Sequence, residues 1–148
     1  MEIKFYKNKN LQSDLTLSSQ QFQKLFGFNE ERNKKITNLF FVANRFKKVG
    51  CNKLFVFGSF ASQKEFPNDI DICFDIEDLN KEVIEENNSL FDKYERRRIH
   101  KYFQIHIAFF KIDDNDEELK RFMKTDREGN QRGIVEIDLK DLPIYDKK

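Results

Sequence analysis

Tryptophan is absent from the 148-residue chain, and cysteine and proline occur only twice each. Two cysteines, Cys51 and Cys73, are too few for a disulfide framework and too sparse for a zinc motif. A reducing cytoplasm is therefore the expected setting. No segment approaches the roughly 18 consecutive apolar residues of a membrane span. The first residues, MEIKFYKNKN, carry no apolar core of a secretory signal, and no membrane partner is expected. An excess of one charge is also missing. Lys and Arg number 27 against 26 Asp and Glu, so bulk charge favours neither a polyanion nor a membrane surface. A local basic patch on a neutral chain still leaves nucleic acid open.

What the chain does have is phenylalanine. Its 17 Phe supply much of the apolar burial, while charged residues at 36% are enough to cover a surface. This composition and length predict one domain over 1–148 with a true core. There is no internal repeat and no low-complexity tract.

Residues 1–17 read as an extended or irregular lead-in. Ser18 and Gln21 have capping-box spacing ahead of Phe22, Leu25 and Phe26, which predicts a first helix. Asn29 caps a longer one whose stripe is Ile36, Leu39, Phe40, Ala43 and Phe46, closed by Gly50. A buried strand follows from Lys53 to Gly58, and a second from Asp69 to Ile76. One polar helix is expected over Leu79–Arg98 and a third strand over Tyr102–Ile112. A short helix through Met123, a loop TDREGNQRG and a last strand IVEIDL complete the order. The fold class is thus α/β (α+β), a mixed sheet of about four strands flanked by helices.

The second strand poses a chemical question. Asp69, Asp71, Cys73 and Asp75 share one face, and Ile70, Ile72, Phe74 and Ile76 share the other. Two carboxylates roughly 6–7 Å apart along a strand repel unless solvated or bridged by a cation. Mg²⁺ takes oxygen ligands from one or two carboxylates; the alternative is a wet strand face. Asp75 lies too far along for the same ion. Ahead of this strand, Gly58 ends a buried one and Ser59 opens a loop. Glycine there allows close backbone approach to a ligand, and a serine hydroxyl can hold phosphate; otherwise the pair is an ordinary turn.

Gly58-Ser59, nine residues, then Asp69-Ile70-Asp71 resembles the signature of the nucleotidyltransferase superfamily, the fold of DNA polymerase beta. The helical lead-in, FGSFAS..KEFPNDIDI and TDREGNQRGIVEIDL are similar to a group of short bacterial nucleotidyltransferase-like proteins over nearly the whole chain. The resemblance implies that Gly58 and Ser59 bind the triphosphate of an NTP and that Asp69 and Asp71 bind Mg²⁺ (or Mn²⁺). It implies transfer of NMP to a protein or RNA acceptor, and a setting in a toxin–antitoxin or phage-defence module.

The chain also departs from that pattern. A third metal-binding carboxylate is expected on the strand 102–112, which is free of acidic residues until Asp113 and offers Gln104 and His106 instead. His106 is a metal ligand or general base on one reading, and a hydrogen-bonded histidine in a half-buried site on the other. Lys64 either meets phosphate or is a solvated lysine. Arg96, Arg97, Arg98 and Lys101, with His100 among them, suit a helix end or grip RNA or an acidic partner. Arg127 is expected near the site. The DDNDEE run reads as a solvated helix start. Two functions follow: a Mg²⁺-dependent nucleotidyltransferase, or a non-catalytic module of the same fold that binds NTP or a partner protein.

Overall fold

A computed structural model describes residues 2–77, 79–109 and 116–142. The expected end of the third strand, Asp113, and the start of the acidic run lie outside these residues.

Leu15–Ser18 forms strand β1, the first element, where the sequence predicted only a lead-in. It is an edge strand. Its alternation is short, and its partner, the last strand, lies more than a hundred residues away, so local pattern could not reveal it. Ser18 then caps helix α1 (Ser19–Phe26) in the expected reciprocal box with Gln21. Asn29 caps α2 (Glu30–Lys47) by accepting from the Arg32 backbone N–H at 2.8 Å. The chain returns through Gly50 (φ +110°) into β2 (Lys53–Phe57).

A 3₁₀ turn, Gly58–Ala61, and a loop lead to β3 (Ile70–Phe74). The single helix expected over 79–98 is instead three: α3 (Lys81–Glu86), α4 (Asn88–Phe91) and α5 (Lys93–Phe103). Short polar side chains impose the breaks. Asn87 leaves the helical region (φ −114°, ψ 30°) with its Nδ2 donating to the Val83 carbonyl at 2.9 Å, and Asp92 caps α5 by accepting from the Tyr94 N–H at 2.8 Å, which interrupts a continuous ladder. The third strand also starts later than expected. Tyr102 and Phe103 belong to α5, Gln104 closes it in the left-handed region (φ +58°), and β4 runs Ile105–Phe109. Helix α6 (Asp116–Met123) and β5 (Val135–Asp138) follow.

The five strands lie in the order β1-β5-β2-β3-β4. β2 is antiparallel to β3 and β5, while β4 runs parallel to β3 and β1 parallel to β5. The mixed α/β class is as expected, with five strands rather than four.

Alternation along the strands separates two layers. Leu54, Val56, Ile70, Ile72, Phe74, Ile105, Ile107 and Phe109 join the main core with the stripes of α1 and α2. There Phe46 stacks on Phe74 with ring centroids 4.3 Å apart. On the opposite face, Phe57 and Cys73 pack with Leu119 and Met123, one turn apart on α6, and with Ile134. That second cover stops short of one end of the sheet. Phe57 pairs in register with Asp71, and Asp71 with His106, so this polar end stays uncovered by the apolar cluster.

Candidate functional site

The open end of the sheet is a cleft of about 920 Å³, within the size range of small-ligand sites. Gly58, Ser59, Lys64, Asp69, Asp71, His106 and Arg127 all line it. Residues spread over seventy positions are brought together by three features: the turn after β2, the start of β3 with its parallel neighbour β4, and the loop before β5.

Gly58 sits hard against the acidic strand. Its φ is +74°, and a Cβ there would sit 2.7 Å from Asp71 Oδ2. The turn therefore runs directly beside the carboxylate, as only glycine permits. The carbonyls of this turn are gathered by a residue that sequence reasoning missed. Arg32, fully buried, donates to the carbonyl oxygens of Phe26, Phe60, Ser62 and Lys64 at 2.7–3.0 Å and to that of Ser59 at 3.4 Å. Its guanidinium lies between the rings of Phe28 and Phe60, 4.3 and 4.5 Å from their centroids. Burial pulls it down to about 10, still charged at neutral pH. The only signal was its place three residues after the Asn29 cap, on a helix side that should have been apolar.

Asp71 is half-buried, and burial raises its carboxyl above the ordinary range. His106 opposes that shift, Asp69 adds to it, and Arg132 and His100 oppose it. Arg132 is a second residue the sequence reading passed over. It donates through Nε to the Met123 carbonyl at 2.7 Å and through its NH2 group to that of Phe122 at 3.3 Å, tying α6 to the cleft. Burial lowers its guanidinium, and the charges of Asp71 and Asp126 act the other way. Asp126 shapes the loop carrying Arg127. Its carboxylate accepts from the backbone of Glu128 (3.0 Å) and Asn130 (2.8 Å), and from Asn10 Nδ2 at 2.9 Å.

Asp69 stands just before β3 and faces two histidines. His106 Nε2 is 3.5 Å from Asp69 Oδ2, and His100 Nε2 is 3.6 Å from Oδ1. The imidazole rings are stacked, with centroids 3.7 Å apart. His100 had been placed only within a basic helix end. The last turn of α5 and the left-handed Gln104 reverse the chain so that residues six apart face each other. Gln104 itself does not share the His106 face as expected. It lies outside the strand, and its side chain accepts from Lys35 Nζ at 2.8 Å. Asp75 stands apart from the cleft, paired with Lys53 at 3.6 Å.

The donor set is oxygen-rich on β3, where Asp69 and Asp71 suit a hard divalent cation, and nitrogen-bearing on β4 and α5. Among the described residues no third carboxylate joins Asp69 and Asp71 from β4.

A family model covers residues 3–138 and is described as a family of unknown function (DUF6932). The chain belongs to this family. No curated protein and no solved structure matches it. Among the described residues, no helix is long and apolar enough to cross a membrane.

Proposed function

We propose that the cleft binds a nucleoside triphosphate together with a divalent cation and transfers its nucleotidyl group to a protein or RNA hydroxyl. The observation that carries this reading is that the Gly58 turn runs against the Asp71 carboxylate in a cleft that also holds Asp69 and cationic side chains. The Gly58-Ser59 turn would meet the triphosphate, with the half-buried Ser59 supplying a hydroxyl. Lys64, Arg127 and Arg132 line the same cleft and offset phosphate charge. Asp69 and Asp71 would hold Mg²⁺ or Mn²⁺. When bound, such ions stabilise the attacking and leaving oxygens of an in-line displacement.

The acceptor hydroxyl oxygen forms the new bond to the α-phosphorus, the bond from that phosphorus to the bridging oxygen breaks, and pyrophosphate leaves. His106, exposed at the cleft, would take the hydroxyl proton. A reducing cytoplasm and a toxin–antitoxin or phage-defence module fit this chemistry.

One feature favours a second reading, a non-catalytic module that binds NTP or a partner protein: β4 presents His106 where a third carboxylate would complete the metal site. Incubation with each labelled NTP and Mg²⁺ or Mn²⁺, alone and with cell extract, separates the two. Transfer predicts covalent label on protein or RNA that disappears in Asp69→Asn and Asp71→Asn. Bound but untransferred NTP selects the module.

A further inference from the structure

The geometry points to a transition-metal site formed by Asp69, His100 and His106, selective for a cation of the Zn²⁺, Co²⁺ or Mn²⁺ type over Mg²⁺. It meets the proposed nucleotide site by sharing Asp69 and His106, and there His106 holds the cation in place of taking a proton, yet it rests on its own observations. One ligand atom from each of the three residues lies within 4.8 Å of the other two. The two Nε2–carboxylate separations of 3.5 and 3.6 Å are too long for hydrogen bonds. They are close to the spacing of neighbouring ligands around a tetrahedral ion with bonds near 2.0–2.1 Å, roughly 3.3 Å.

The two histidines flank the same carboxylate, one at each oxygen, and all three groups converge on one point. The imidazole rings are stacked. Ring centroids 3.7 Å apart hold both Nε2 atoms beside the one carboxylate. The three ligands come from separate elements: the residue before β3, the last turn of α5, and β4. Such a site forms only in the folded chain. His106 is exposed and His100 and Asp69 are half-buried; Asp69 and His106 line the cleft and the two histidines an adjacent basic cavity, so the site is open to water or a phosphate oxygen. Two imidazoles with one carboxylate match the ligand preference of first-row transition metals, whereas Mg²⁺ keeps oxygen ligands.

The test is calorimetric titration of the full, chelator-stripped chain with Zn²⁺, Mn²⁺, Co²⁺ and Mg²⁺, with the visible spectrum of Co²⁺ as a report on ligand type. One Zn²⁺ or Co²⁺ per chain is expected, with Mg²⁺ weaker by about a hundredfold. His100→Ala and His106→Ala should each weaken Zn²⁺ binding by about tenfold or more. Their circular dichroism should be unchanged, since neither ring is part of the core. Equal Zn²⁺ affinity in both variants, no stoichiometric binding, or Mg²⁺ binding as tight as Zn²⁺ would overturn the assignment. Histidine-dependent Zn²⁺ binding by a chain that binds no NTP upholds the metal site and removes the nucleotide reading. Mg²⁺-dependent labelling without histidine-dependent Zn²⁺ binding does the reverse.

Discussion

Gly58, in the turn that ends β2, lies against Asp71 of the neighbouring antiparallel strand: a side chain on the glycine would begin 2.7 Å from the Asp71 Oδ2 atom. Gly58→Ala must therefore either push Asp71 aside or open the turn, and it also adopts a left-handed φ of +74°. Left-handed alanine alone costs about 1–2 kcal/mol. Thermal or urea unfolding should show at least that loss, together with weaker NTP binding. A neutral effect on both would mean that the turn relaxes freely.

Arg32 gives a second prediction. Its charge is neutralised by carbonyl dipoles, and among the described residues no carboxylate pairs with it. Arg32→Met keeps the side-chain length but leaves the carbonyls of Ser59, Phe60, Ser62 and Lys64 without this donor. We expect a loss of roughly 2–4 kcal/mol in urea unfolding. Faster amide hydrogen exchange should be confined to residues around the 59–64 loop. Uniform acceleration across the sheet would contradict the role assigned to Arg32.

Asp71 predicts a pH dependence. Its folded-state carboxyl titrates above its unfolded value, burial being the first cause. Its contribution to stability is therefore fully present only below the unfolded value, about 3.9, and is lost as pH rises through the raised folded value. At neutral pH, without a cation, the ionised group costs stability. Asp71→Asn should then raise the melting temperature at pH 7, with the gain shrinking as pH falls towards 4. Added divalent cation should narrow the difference at pH 7 by stabilising the parent protein. A variant less stable than the parent at pH 7 without metal would refute this account.

The loop that presents Arg127 offers a prediction separate from the core. The Asp126 carboxylate is held below its usual range first by the Asn10 side chain, and it ties the backbone of Glu128 and Asn130. Asp126→Ala should free this turn. NTP affinity should fall severalfold while the unfolding midpoint changes little. Unchanged affinity would remove Arg127 and its loop from the binding surface.

Much of this arrangement was legible before folding. The alternation Ile70, Ile72, Phe74 named the core face of β3 and so put Asp69 and Asp71 on the other. Gly58-Ser59 at the end of a buried run named the turn, and the Ser18 and Asn29 caps were correctly placed. What escaped had non-local causes. β1 is a strand only because β5 pairs with it, and Arg32 is buried only because the 59–64 loop wraps over it. His100 meets Asp69 and His106 because Gln104 takes a left-handed conformation that non-glycine residues seldom adopt. The same turn shortens the predicted strand and carries Gln104 away from His106. A local pattern could not have shown where α5 ends, because Tyr102 and Phe103 suit a strand equally well.

The most direct test of the central claim is calorimetric titration of the protein with each NTP, with and without Mg²⁺ or Mn²⁺, repeated on Asp69→Asn and Asp71→Asn. The account predicts one triphosphate bound per chain, only when a divalent cation is present, and binding lost in both variants. No NTP binding with any cation, or equal binding in the parent and both variants, would contradict it.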